Sequence, residues 1–132
     1  FKGGGVTFGP RSDRNWVKSM PKTARRQALF SALTLKAQDQ KILALENFTA
    51  AKTKMFVQLL KKLPVERDVL FVLAEKNNNA YRATRNIPYV KTILAAYLNV
   101  NDVLSYRHIL FLSAALKKAE DTFKAPGKSK SV

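Results

Sequence analysis

Four short apolar runs, at residues 42–45, 69–73, 93–96 and 109–112, alternate with segments of helical periodicity, and this alternation constrains the fold more than any other feature of the chain. Each run is too short for a free-standing helix, which is how a strand buried on both faces reads. Successive runs start further apart than the roughly 10–12 residues that a parallel crossover requires. The pattern predicts an α/β fold: a single domain whose parallel sheet of about four strands has helices packed on it.

The intervening segments support this reading. Ala24, Ala28, Leu29, Ala32 and Leu35 recur at three- and four-residue spacing behind Pro21, which predicts a helix near 21–38. Thr49 is positioned to cap a second helix whose stripe is Ala51, Met55, Phe56, Leu59, Leu60 and Leu63, with Lys54, Gln58 and Lys61 on the far side and Pro64 as its stop. A short helix is expected at 78–86 and a turn of helix near 101–106. A last helix is expected at about 113–123, where Ala115, Leu116 and Ala119 cover the sheet while Lys117 and Lys118 face water.

Residues 1–20 show neither period, and Gly3, Gly4, Gly5, Gly9 and Pro10 interrupt any regular element there. They are expected to form an extended basic arm. The organisation is then arm 1–20, globular domain 21–123 and a polar tail 124–132 carrying Lys128 and Lys130. The chain opens at Phe1 without an initiator Met, which reads as a fragment or processed form of a longer protein.

Charge narrows the function classes. The 132 residues carry 24 Lys plus Arg against 9 Asp plus Glu, a formal net charge of +15. That surplus exceeds what solubility asks of a small domain and points to a polyanionic partner. It is concentrated early: Lys2, Arg11, Arg14, Lys18, Lys22, Arg25, Arg26, Lys36 and Lys41 stand against only Asp13 and Asp39. No stretch of about 18 apolar residues is present, so no membrane span is expected. Cysteine is absent, which removes thiolate chemistry and Cys-based metal sites, and His108 is the single imidazole. No cofactor and no small-molecule substrate are expected.

Two local constellations suit nucleic acid. In the arm, Gly3, Gly4 and Gly5 lead into Val6, Thr7 and Phe8 and then Arg11 and Arg14. Glycine lets a backbone approach another surface closely, arginine forks match phosphate oxygens, and Phe1, Phe8 or Trp16 could stack on bases or pack on the domain. The alternative is a plain flexible terminus. At the predicted start of the first helix, Lys22, Arg25 and Arg26 sit where the helix dipole disfavours cations by roughly 0.3–1 kcal/mol each. A phosphate there would gain free backbone N–H groups and cationic side chains together. The alternative is a solvated basic turn. Lys52 and Lys54 repeat the theme more weakly on what reads as a solvated helix face.

A catalytic reading centres on Glu46 and Glu75, which follow the first two strand runs at the ends where open α/β sheets hold ligands. No glycine-rich phosphate loop follows either strand, and His108 falls at the opposite end of its strand. The residues therefore favour a binding protein over an enzyme.

The runs FKGGGVTFGP (residues 1–10) and PKTARRQAL (21–29) resemble, in order, segments of the universal L-four family of large-ribosomal-subunit proteins, in its bacterial type. The resemblance continues through AKTK (51–54), ATRNIP (83–88) and LNVNDVL (98–104) and covers roughly residues 1–121. Departures are Asn101, where relatives usually carry an aromatic, the Asn-rich stretch near 76–80, and the tail from Lys124. The resemblance implies an α/β domain with a parallel sheet, lacking here the family's first strand and long loop. It implies large-subunit ribosomal RNA and neighbouring ribosomal proteins as partners, and a ribosomal, cytoplasmic location, without separating a cytoplasmic from an organellar ribosome. Some bacterial relatives also repress their own operon through messenger RNA, so a free regulatory RNA binder is the alternative.

Overall fold

A computed structural model describes residues 2–48, 52–66 and 68–124. Thr49, proposed as a cap, and the tail from residue 125, with Lys128 and Lys130, lie outside the described residues, as do Phe1 and Ala51.

The described residues form a four-stranded sheet, all parallel, of β1 (Ile42–Leu45), β2 (Val69–Leu73), β3 (Val90–Leu94) and β4 (His108–Leu112), in the spatial order β1-β4-β2-β3. Among the described residues five α-helices accompany it: α1 (Lys22–Gln38), α2 (Thr53–Lys62), α3 (Asn78–Thr84), α4 (Val100–Ser105) and α5 (Ser113–Phe123). The two inner strands explain why the apolar runs stand out. All five residues of β2 are buried, as are the first four of β4, so helices must cover both faces, and His108 at the start of β4 is the one polar residue among these nine.

Alternation along the strands sends side chains to two cores. Val69, Phe71, Leu73 and Leu110 meet Phe56 and Leu60 of α2 and Ala80 and Ala83 of α3 on one face. There the rings of Phe48, Phe56 and Phe71 pack with centroids 5.2–5.7 Å apart, two of the pairs edge to face. Leu70, Val72, Ile109 and Phe111 point to the other face, against Leu29 and Ala32 of α1, Val103 of α4 and Ala115 of α5.

Helix ends follow local chemistry. Asn77 caps α3 by accepting from the N–H groups of Asn79 (3.0 Å) and Ala80 (3.2 Å), which gives the Asn-rich stretch a structural use. Pro64 follows the extended Leu63 that ends α2. At the end of α1, Gln40 takes a left-handed conformation (φ 54°), and the N–H groups of Gln40 and Lys41 donate to Ala37 and Lys36. This is a Schellman-type stop built without glycine.

The third strand corrects the sequence reading. It begins at Val90, three residues before the apolar run at 93–96, and residues 95–97 form a turn of 3₁₀ helix. As an edge strand β3 tolerates Lys91 and Thr92, whose side chains hide it from an apolar-run criterion. Thr92 shares a 2.7 Å hydroxyl hydrogen bond with the buried Thr84 of α3, and Lys91 pairs with Asp102.

Three helix faces also depart from expectation. Met55 is half exposed, leaving Phe56 and Leu60 as the buried residues of α2. In α1, Ala24, Ala28 and Leu35 are exposed, and the buried stripe is Leu29 and Ala32, flanked by the half-buried Leu33 and Lys36. In α5, Ala115 is buried, Leu116 borders on exposed, and Lys118 is half-buried and bridged to Glu75 (3.1 Å). The remaining helices differ from expectation by one or two residues at their ends.

Candidate nucleic-acid interface

The corrected stripe of α1 changes the meaning of its basic turn. Counting back from Leu29, Ala32, Leu33 and Lys36 by three- and four-residue steps gives Lys22, Arg25 and Arg26. The three cations therefore continue the inward face of the helix past the edge of the core, whereas a purely solvated turn would place them on the outer face. Lys22 and Arg25 are exposed and Arg26 is half-buried. None of the three side chains makes a hydrogen bond or ion pair among the described residues.

The backbone beneath them is equally open. Pro21 precedes the helix and supplies no side-chain cap, the first turn holds no acidic residue, and the first main-chain bond closes from the Arg25 N–H to the Pro21 carbonyl. The preceding N–H groups remain available at the positive end of the helix dipole.

Below the cations lies a cavity of about 260 Å³ between the start of α1, the link into α4 and the end of α5. Leu29, Leu98, Val100 and Phe123 form its apolar floor, and Asn99 and Thr122 contribute polar edges. The link is held rigidly. Asn99 accepts from the Asp102 N–H (2.8 Å) and its amide donates to the Asp102 carboxylate (3.0 Å), a reciprocal capping arrangement. The buried Asp102 also receives the Lys91 amine at 2.6 Å. That hydrogen bond holds the Lys91 amine above its ordinary pKa.

The opposite end of the same stripe is closed. The Lys36 amine donates to the Tyr106 carbonyl at 2.8 Å, and burial, followed by the nearby Lys41, lowers its pKa from the ordinary value. Next to it His108, the first residue of β4, is buried with neither ring nitrogen partnered among the described residues. Burial first and Arg107 second lower its pKa from the ordinary 6.5.

The arm holds the other residues singled out by sequence. Lys2, Gly3, Gly4, Gly5, Thr7, Phe8, Arg11, Arg14 and Lys18 are all exposed, on a stretch without helix or strand. Gly3 and Gly4 have φ of 98° and 60°, a backbone geometry that favours glycine. Val6, Phe8, Trp16 and Val17 are each at least 69% exposed, so aromatic and apolar surface alternates with charge along the arm. The Arg14 guanidinium stacks over the Trp16 ring at 4.3 Å. Lys52 and Lys54 are exposed at the start of α2, which packs on the other face of the sheet from α1, so these two are not brought together with the α1 cluster.

The two carboxylates of the catalytic reading are not assembled either. Glu46 follows β1 and Glu75 follows β2, with β4 between those strands, and Glu75 is occupied by Lys118. Among the described residues no group of three His, Asp or Glu could hold a metal ion, and no helix is long and apolar enough to cross a membrane.

Sequence reasoning missed Leu98, Asn99, Val100 and Phe123. The Asn99-x-x-Asp102 spacing was the available signal, since it is a helix-start signature. Nothing local could have placed Phe123 beside α1.

Comparison with known proteins decides the family. The ribosomal protein L4/L1 family matches residues 1–122. The chain belongs to this family. Curated relatives carry the name large ribosomal subunit protein uL4. The one from Natranaerobius thermophilus is 39% identical over 123 residues, which is 92% of this chain and 59% of the relative. The protein from Syntrophomonas wolfei is 40% identical over 91% of this chain and 58% of its own length. That of Brevibacillus brevis is 41% identical over 92% of this chain and 59% of its own length. The chain thus spans about 59% of the length of the first of these relatives. The L-four resemblance read from the sequence agrees with the family match, and the expected α/β fold agrees with the parallel sheet.

Proposed function

We propose that this chain is a non-catalytic constituent of the large ribosomal subunit that binds ribosomal RNA and supports subunit assembly. The observation that carries the reading is the cationic triad Lys22, Arg25 and Arg26 on the inward face of α1, whose side chains have no partner among the described residues, on a chain of net charge +15 within a ribosomal protein family. The triad and the open helix start clamp phosphates, and the arm runs along the sugar-phosphate backbone, with Gly3 to Gly5 allowing close approach and Arg11 and Arg14 reaching phosphate oxygens. Lys2, Lys18, Lys52 and Lys54 add attraction that depends little on geometry. In the subunit the globular domain, residues 21–123, is an anchor between RNA and neighbouring ribosomal proteins, in the cytoplasm.

The test is the double substitution Arg25→Ala, Arg26→Ala in the intact chain. Affinity for large-subunit ribosomal RNA is expected to fall about tenfold or more at physiological salt, and the salt dependence to become shallower. Thermal unfolding is expected to stay within about 0.5 kcal/mol, because neither side chain is buried in the core. Unchanged RNA affinity would remove the clamp.

A further inference from the structure

The phosphate clamp accounts for the cations but not for the cavity beneath them. A site that holds only phosphate needs donors and positive charge, and an apolar floor weakens it by displacing water without offering hydrogen bonds. Here four apolar side chains, Leu29, Leu98, Val100 and Phe123, line the space directly inside the cationic rim. The floor is also held open, since Asn99 and Asp102 fix the backbone on either side of Val100 and tie it through Lys91 to β3.

We infer that this cavity seats a single unpaired nucleobase of the RNA, whose flanking phosphates lie on Lys22, Arg25 and Arg26. The inference rests on the phosphate reading above and deepens it, by naming single-stranded RNA with an extruded base as the form the site takes. Three features support one base as the occupant. The volume of about 260 Å³ falls below the roughly 300–1,000 Å³ of sites for drug-sized ligands and admits one flat ring system. Phe123 offers a ring face or edge, and the aliphatic floor replaces the stacking that an extruded base gives up. Charge complementarity selects nucleic acid over a protein side chain, because three cations and no carboxylate line the mouth among the described residues.

Polar edges sit where a base could be read. The Thr122 hydroxyl donates to the Lys118 carbonyl at 2.7 Å, leaving its oxygen lone pairs as acceptors at the rim. The second amide hydrogen of Asn99 is a donor beyond the one committed to Asp102. A paired base presents neither a free face nor a free Watson–Crick edge, so a duplex is excluded from the cavity while its phosphates still reach the rim.

The experiment compares three probes on the intact chain: a single-stranded RNA octamer, the same ribose-phosphate octamer made without bases, and an RNA duplex of equal length. Methyl NMR follows Leu29, Leu98 and Val100, and binding is measured in parallel. The expected result is that only the base-bearing single strand shifts these methyls and that it binds about tenfold tighter than the abasic strand. Thr122→Trp, which fills the cavity from an exposed position, should abolish that tenfold difference. Phe123→Ala, which removes one wall, should reduce the difference, and unaltered thermal unfolding of Thr122→Trp shows that folding is not the cause.

Equal binding of all three probes with still methyls, but with loss on Arg25→Ala, Arg26→Ala, would overturn the base site and keep the phosphate clamp. The cavity would then be left to an apolar side chain of a protein neighbour. Binding that ignores both the arginines and the cavity would overturn the two readings together.

Discussion

The two ends of α1 solve the same problem in opposite ways. At its C-terminal end the chain satisfies itself: Gln40 and Lys41 cap the last carbonyls, and the Lys36 amine is anchored on the Tyr106 carbonyl. At its N-terminal end the same inward stripe presents Lys22, Arg25 and Arg26 without a partner among the described residues, above an apolar cavity and an uncapped first turn. One end is closed by the protein and serves stability. The other leaves cations and N–H groups to be satisfied by something else, and an anion carrying apolar rings meets both needs.

The two ends predict a separation of effects, in which contacts made within the protein govern stability and the exposed cations of the open end govern RNA affinity. The largest stability effect is expected from the network that supports the open end without touching the RNA phosphates. Asp102→Ala removes the acceptor for both the Lys91 amine and the Asn99 amide, at a cost of about 2 kcal/mol in chemical unfolding. Lys91→Ala should cost less, about 1 kcal/mol or below, since the Lys91 side chain is 46% exposed. Equal losses for the two would mean that the Asn99 cap contributes nothing.

A smaller effect is expected at the closed end. Lys36→Met keeps the aliphatic stem and deletes the hydrogen bond to Tyr106, costing about 1 kcal/mol with ribosomal RNA affinity unaltered. A fall in affinity comparable to that of the arginine pair would erase the distinction between the two ends.

The smallest is a pH effect beside the same end. His108 faces Arg107, Glu66, Lys41 and Lys36, and its folded pKa is depressed, so the folded state binds fewer protons than the unfolded chain. Its contribution is therefore complete above the ordinary 6.5 and is lost as pH falls through that value toward the lower folded pKa. Thermal unfolding followed from pH 8 down to pH 5 should show this acid loss, and His108→Gln should flatten it over that window. An identical slope in the variant would assign the acid loss to the carboxylates.

How much of this was legible in the sequence depends on the range of the interactions. β2 was read to the residue and β4 within one because these inner strands are covered on both faces and almost wholly apolar, only His108 hiding the start of β4. The edge strand β1 was read because its four residues are all apolar. β3 was read three residues late because an edge strand spends Lys91 and Thr92 on an ion pair and a hydroxyl contact that no local pattern announces. The stripe of α1 was misplaced because its alanines carry little information about facing, and only the docked helix shows that Leu29 and Ala32 point inward.

The candidate site divides in the same way. Lys22, Arg25 and Arg26 could be picked out by residue type at a helix start. Their cavity could not, since Leu98 and Phe123 reach it from distant parts of the chain through the sheet topology. The family resemblance identified the chain's relatives without revealing this geometry.

The proposed function requires that the open end of α1 and the arm recognise ribosomal RNA rather than any polyanion. The most direct measurement is a salt titration of binding of the intact chain to large-subunit ribosomal RNA, with an unrelated folded RNA of equal length as competitor. A preference for ribosomal RNA that persists at physiological salt is expected, because the phosphate contribution alone cannot discriminate between the two. Equal affinities that collapse together as salt rises would contradict it.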